Sequence, residues 1–229
     1  MGEDLEQQGI YADQPRDDLL PWVPRDARSA LDVGCGKGGF GLTLRQALGD
    51  TARLVGVEAV PEQADVARSD HGFDEVRAGY FPQVLADSDE RFDLVSFNDV
   101  LEHLYDPWDT LSQVHGRLTP NGRVFATIPS IQYAPVVWQL LRGRWDYTDY
   151  GTLDRTHVRF FTRATMIELF HKCGFDVETC VGINNVVDLS PHAWRGRRRY
   201  ARHLLRDAQW LQFVVIGRPV PSARKVWKQ

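Results

Sequence analysis

Three groups of residues have types and spacings that chemistry can use. The first is the turn Asp32-Val33-Gly34-Cys35-Gly36-Lys37-Gly38-Gly39, directly behind the apolar run 29–33. Glycines let a backbone approach a ligand closely, and a helix opening behind them offers free N–H donors. Dinucleotide-binding folds place a related G-x-G-x-x-G pattern around a pyrophosphate. Here the order is GxGxGG, Asp32 closes the first apolar run, and Glu58 closes the next, 20 residues beyond Gly38. A carboxylate there can accept from both hydroxyls of a ribose. The pattern therefore fits an adenosyl ligand without a phosphate, its cationic end beside Asp32. The second group is Asp99-x-x-Glu102-His103, with His157 in Asp154-Arg155-Thr156-His157. Positions i, i+3 and i+4 share one face of a helix, so two carboxylates and an imidazole would meet there as a face for a divalent metal. His157 is expected from the far side of the same cleft. The same groups without a metal can bind an acceptor, move a proton, or simply pack. The third group is the aromatic set Trp138, Trp145, Tyr147 and Tyr150 in the insertion 131–161. Their flat faces suit sugar rings or the packing of a lid on itself, and Arg144, Asp146, Asp149, Asp154 and Arg155 offer hydrogen bonds to hydroxyls.

These groups need elements to position them. Apolar runs at 29–33, 53–58, 73–78, 92–97 and 122–128 alternate with helical patterns at 40–48, 61–68 and from Pro107 onward. A helix is expected over 163–173, with Thr162 as N-cap and Gly174 beyond its end, and two late strands at 175–183 and 210–217. This alternation predicts an α/β fold, a Rossmann-like, doubly wound, mostly parallel sheet of seven strands. Residues 1–27 read as an N-terminal flap, 28–229 as the main domain, 131–161 as an acceptor-side lid and about 190–208 as a basic segment.

The 229 residues are 43% hydrophobic and 25% charged, which fits one globular domain with a lid and excludes a disordered chain. No apolar run approaches the roughly 18 residues of a membrane span. The acidic start lacks the pattern of a signal peptide. Cys35, Cys173 and Cys180 are odd in number and not spaced as a pair motif, so a reduced, cytoplasmic protein is expected. The net charge is −4, from 27 Lys+Arg against 31 Asp+Glu. Ten of those bases and only Asp207 among the acids fall in 190–229, so an acidic body carries a basic tail. The stretch Arg195–His203 reads as a solvated or intersubunit face in an oligomer, or as a contact with a membrane surface. A DNA partner is not expected, since no nucleic-acid module accompanies it.

The segments LDVGCGKGGF, VGVE, FDLVSFNDVLEHL and LTPNGRVFATIP, in that order over about 28–130, resemble the motifs of class I S-adenosylmethionine-dependent methyltransferases. Tyr11, Arg16-Asp17-Asp18-Leu19-Leu20, DVLEHLYDPW and GRWDYTDYGTLDRTHVRFFT resemble a bacterial subgroup related to the ubiquinone-biosynthesis O-methyltransferases and often linked to glycan and polysaccharide pathways. Ser130 departs from that subgroup, which has Asn there. The resemblance implies that Asp32, Gly34 and Gly36 hold the methionine end of S-adenosylmethionine and Glu58 its ribose. It places Gly79, Tyr80 and Phe81 around the adenine, turns Asn98 toward the cofactor, and puts Tyr11 and Arg16 in the flap above it. Some relatives hold Mg²⁺ on an acid-x-x-Glu-His triplet, so Asp99, Glu102, His103 and His157 are the candidate metal ligands. His157, then His103, is the candidate base. The implied activity is O-methylation of a hydroxyl on a saccharide or glycan intermediate. Alternatives are a phenolic or quinone-like small molecule, the 2′-hydroxyl of an RNA, or a domain that only senses the cofactor.

Overall fold

The central strands are apolar almost end to end, as strands covered on both faces must be. The computed structural model describes residues 14–70, 72–189 and 205–220; Tyr11 and the basic stretch 195–203 lie outside the described residues. Seven strands form one sheet: β1 Ser29–Val33, β2 Arg53–Glu58, β3 Glu75–Ala78, β4 Phe92–Asn98, β5 Leu118–Pro129, β6 Phe175–Asn185 and β7 Trp210–Pro219. Their spatial order is β3-β2-β1-β4-β5-β7-β6. The first five run parallel, and β7 lies antiparallel between β5 and β6. The helices are α1 Gly39–Leu48, α2 Pro61–Asp70, α3 Pro107–Gln113, α4 Ala134–Leu141, α5 Arg163–Lys172 and the single turn α6 Val186–Leu189.

Alternation along the strands divides the core in two. Leu31, Val55, Val95 and Val124 face one side, where Leu111 of α3 and Met166, Leu169 and Phe170 of α5 cover them. Ala30, Leu54, Leu94 and Phe125 face the other, under Phe40 and Leu44 of α1 and under Leu19 and Val23 from the N-terminal segment. Parallel pairing brings the C-terminal ends of β1, β2, β4 and β5 to one rim of the sheet, and the glycine turn after β1 lies on that rim.

Local chemistry sets most boundaries. Thr162 caps α5 reciprocally: its Oγ1 accepts from the Thr165 N–H at 3.2 Å, and Thr165 Oγ1 accepts from the Thr162 N–H at 2.8 Å. Gly174 ends that helix with φ +82°. Two expectations shift. The turn Thr119–Gly122 belongs to β5 rather than preceding it, because a slip in register between Phe92↔Leu118 and Leu94↔Arg123 absorbs it. Gly122 permits this, since a Cβ there would lie 2.9 Å from the Phe92 carbonyl oxygen. The insertion also contains a helix, α4, with Pro135 in its first turn.

Candidate functional site

The turn after β1 uses its glycines for geometry other residues resist. Gly34, Gly36 and Gly38 have φ of +72°, +55° and +101°. A Cβ at Gly34 would sit 2.6 Å from Val100 Cγ2. The Gly36 N–H donates to Glu58 Oε2 at 2.8 Å and the Val60 N–H to Oε1 at 2.9 Å. Glu58 is thus fixed against the turn, and each oxygen keeps a lone pair for a ligand hydroxyl. Asp32 is 1% exposed; its Oδ1 accepts from Ser96 Oγ at 2.7 Å, and Oδ2 has no partner. Burial pushes its pKa up to about 7, against the Ser96 hydrogen bond, and the Glu58 charge adds to the rise. A buried, half-satisfied carboxyl beside a glycine turn and a fixed ribose acceptor fits a ligand carrying an ammonium group and a ribose, as S-adenosylmethionine does.

A cavity of about 700 Å³ opens over this turn, lined by Asp32, Gly34, Gly36, Glu58, Tyr80 and Asn98 and reaching Arg16, Asp99, Glu102, His103 and His157. Arg16 anchors the N-terminal segment across it. Its backbone N–H donates to Thr43 Oγ1 at 2.8 Å, and its Nη1 reaches Asp99 Oδ2 at 2.7 Å and Asn98 Oδ1 at 3.2 Å. Nε and Nη2 hold Asp18, each at 2.9 Å. These partners drive the Arg16 pKa further up despite its burial.

The helical face expected for Asp99, Glu102 and His103 does not form. Asp99 has φ +56°, which breaks any helix at that point, and only Leu101–His103 make a short 3₁₀ turn. Asp99 faces Arg16 and accepts from Gln212 Nε2 at 2.7 Å. Glu102, His103 and His157 do come together, one ligand atom from each lying within 4.8 Å of the others. Glu102 is 1% exposed, and neither carboxylate oxygen has a hydrogen-bond partner. Burial, reinforced by the Asp99 charge, raises its pKa well above the carboxylate range. His103 Nδ1 lies 3.3 Å from the Thr156 carbonyl oxygen and His157 Nδ1 3.1 Å from that of Thr152. A carbonyl only accepts, so both rings carry hydrogen on Nδ1 and leave Nε2 as the free pole. His157 Nε2 is 3.9 Å from Glu102 Oε1. Burial lowers both imidazole pKa values.

The loop carrying His157 supplies Thr156 and Thr152, which the sequence did not single out, and turns Asp154 toward Thr156. Thr156 Oγ1 sits 3.1 Å from His103 Nδ1 and donates to Asp154 Oδ1 at 2.7 Å. Thr152 lines the cavity with a buried, unpartnered hydroxyl. Nothing in its sequence context marks it.

Other expected residues lie elsewhere. Phe81 packs edge-on against Phe97, and neither it nor Gly79 lines the cavity. Of the aromatic set, Trp138, Trp145, Tyr147 and Tyr150 are all outside the lining. Trp138 lies beneath the Arg142 guanidinium, Trp145 packs against Tyr147 and Phe160, and Tyr150 is 62% exposed. Arg155 pairs with Asp149 rather than with Asp154. In place of these aromatics, Asp149, Thr152 and Asp154 line the cavity.

The chain matches the methyltransferase domain family over residues 6–179. It is 35% identical over 191 residues to the ubiquinone biosynthesis O-methyltransferase of Azorhizobium caulinodans, covering 73% of this chain and 70% of that protein. The enzyme of the same name from Cereibacter sphaeroides is 28% identical over 174 residues, covering 74% and 68%. A SAM-dependent methyltransferase from Archaeoglobus fulgidus shares the fold, with a TM-score of 0.64 at 17% identity over 87% of this chain and 90% of that one. No helix among the described residues is long and apolar enough to cross a membrane. The order of motifs, the geometry of the crevice and these likenesses converge: the chain belongs to the class I S-adenosylmethionine-dependent methyltransferases, as an O-methyltransferase related to those of ubiquinone biosynthesis.

Proposed function

We propose that the acceptor is a small molecule bearing a phenolic hydroxyl, of the quinone-precursor type, docked against Glu102, His103 and His157. The observation that carries this reading is that cluster: a buried carboxyl and two imidazoles lining the same cavity as the glycine turn. The names of the relatives support the phenolic class. A saccharide hydroxyl is the second reading, supported by the polar lining of Asp149, Thr152 and Asp154.

Bound S-adenosylmethionine supplies an electrophilic methyl on a positively charged sulfur. The chain's own part is to bind, align and deprotonate. Asp32 takes the ammonium end, Glu58 the ribose, and Tyr80 borders the adenine. Arg16 closes over the methionine side. Alignment of donor and acceptor is worth on the order of 7–11 kcal/mol, so fixing both partners is the larger share of the work. As the methyl moves from sulfur to the acceptor oxygen, the hydroxyl proton passes to the free Nε2 of His157, beside the Glu102 carboxyl, an effect of about 10²–10⁴-fold.

The test is release of S-adenosylhomocysteine across matched acceptors: dihydroxy-aromatic compounds, their singly hydroxylated analogues, and sugars. Turnover of phenols, lost by at least about 10²-fold in kcat/KM in His157→Ala with unchanged S-adenosylhomocysteine affinity, is expected. Turnover of sugars alone would replace the phenolic reading with the saccharide one. Full activity of His157→Ala would remove the cluster from the reaction.

A further inference from the structure

We propose that the acceptor carries a protonated amine as well as its reacting hydroxyl, that Asp154 receives the amine, and that the same site rejects acceptors bearing a carboxylate or phosphate. For turnover this rests on the acceptor reading above; for binding it stands alone.

The balance of charge around the cavity leads here. Among the described residues its lining holds eight acidic side chains and one guanidinium, that of Arg16. Arg16 has nothing left for an anion. All five of its side-chain N–H donors go to the protein: Nε to Asp18, Nη1 to Asn98 and Asp99, and Nη2 to Asp18 and Gln212. The two lining imidazoles spend their N–H on the backbone carbonyls of Thr156 and Thr152. An acceptor with a carboxylate would therefore meet like charge and find no free side-chain donor, a costly juxtaposition.

The acids sort by what already meets them. Asp32 and Glu58 face the cofactor, and Glu62 follows Glu58 into the first turn of α2. Asp18 and Asp99 hold Arg16, and Asp149 pairs with Arg155. Asp154 and Glu102 are left. Asp154 spends Oδ1 on the Thr156 N–H and hydroxyl, at 2.8 and 2.7 Å, and among the described residues no Lys or Arg pairs with it. Its negative charge acts on Glu102, His103 and His157, which places it at the acceptor end of the cavity. Glu102 is a second and independent sign of a ligand: it lies on the lining, 1% exposed, with neither oxygen partnered. The Thr152 hydroxyl on the same lining is buried and unpartnered too. Buried acceptors in that state call for a ligand that brings its own donors. An ammonium brings three, with the charge that Asp154 lacks.

The protein, saturated with S-adenosylhomocysteine and kept in EDTA, is titrated calorimetrically with three catechols of one frame: dihydroxyphenylethylamine, neutral propylcatechol and anionic dihydroxyphenylacetate. The amine should bind about 10–150-fold more tightly than the neutral probe, the span of a charge-assisted hydrogen bond, and the carboxylate at least about tenfold more weakly. Asp154→Asn keeps the oxygen that Thr156 needs and removes the charge, so the amine-to-neutral ratio should fall at least about fivefold. Glu62→Gln, which removes a lining acid on the cofactor side, should leave that ratio within about twofold of the parent. S-adenosylhomocysteine affinity, measured on every variant, reports folding. If Asp154→Asn fails that check, the order of the three probes on the parent protein carries the test. A carboxylate that binds as tightly as the neutral probe, an amine that binds no better than it, or a folded Asp154→Asn protein that keeps the full preference overturns the proposal. Amine preference without turnover of any phenol would leave this inference standing and overturn the acceptor reading alone. Turnover of all three probes at equal kcat/KM would do the reverse.

Discussion

Asp32→Asn should make the ligand-free protein more stable at alkaline pH and a poorer binder of its cofactor. The Asp32 carboxyl is raised from 3.8 to about 7 because burial removes water that the single Ser96 hydrogen bond does not replace. The sign follows from linkage. Between about pH 4 and pH 7 the folded state holds a proton on Asp32 that the unfolded state has released. Stability therefore falls as pH rises through that window. At about 1.4 kcal/mol per pKa unit, the penalty reaches roughly 4 kcal/mol above pH 7. Asn keeps the shape and removes the charge, but it leaves a buried amide facing the crevice, which returns about 1–3 kcal/mol. The net gain at pH 8 is about 2 kcal/mol, or roughly 4–8 °C in Tm for a chain of this size, and it vanishes at pH 5. The cost appears on binding. The ammonium end of S-adenosylhomocysteine would lose a charge-assisted partner worth about 1.5–3 kcal/mol, a loss of roughly 10–150-fold in Kd. In the parent protein the same pairing favours ionised Asp32, so affinity should weaken below pH 7. Thermal melts at pH 5 and pH 8, with calorimetric titration of S-adenosylhomocysteine, measure both halves. An Asp32→Asn protein that is less stable at pH 8 and binds unchanged would refute the argument.

Arg16→Ala should cost about 2 kcal/mol in urea unfolding, because its guanidinium holds Asp99, Asn98 and Asp18 together. In the double variant with Asp99→Asn the two losses should not add. Gly34→Ala should lose cofactor affinity by more than about tenfold. Adding Val100→Ala should recover only part, since the 2.6 Å contact is relieved but the φ of +72° still costs about 1–2 kcal/mol. Gly182→Ala should destabilise by about 3 kcal/mol through overpacking, because its Cβ would lie 2.0 Å from Trp210 where β6 meets β7. The folded fraction should bind S-adenosylhomocysteine normally, which calorimetry checks.

What could be read from the sequence was whatever a single physical requirement forces onto the residue type. Left-handed backbone at Gly34, Gly36 and Gly38 demands glycine, so the turn was legible. An acid at the end of an apolar strand is expensive, so Asp32 and Glu58 stood out as well. Thr162 and Gly174 bracket α5 for similar local reasons. Asp99 was misplaced because helical spacing assumes an unbroken helix. One non-glycine residue at φ +56° turns its carboxylate to Arg16, a partner 83 positions away that periodicity cannot reveal. The aromatics of the insertion were ambiguous for a different reason. Trp and Tyr serve equally as cavity walls and as half-exposed packing, and only the fold of 142–161 decides between them. In its place the loop brings Thr152 and Asp154 to the cavity, with Thr156 bridging Asp154 and His103 behind them. The two threonines are ordinary loop residues by type, and with Asp154 they fix Nδ1 of both imidazoles, leaving His157 Nε2 3.9 Å from Glu102. The chemistry of this site therefore depends less on which ligating residues the chain contains than on carbonyl and hydroxyl groups fixing the direction in which those residues point. Motif spacing records the first and has no access to the second.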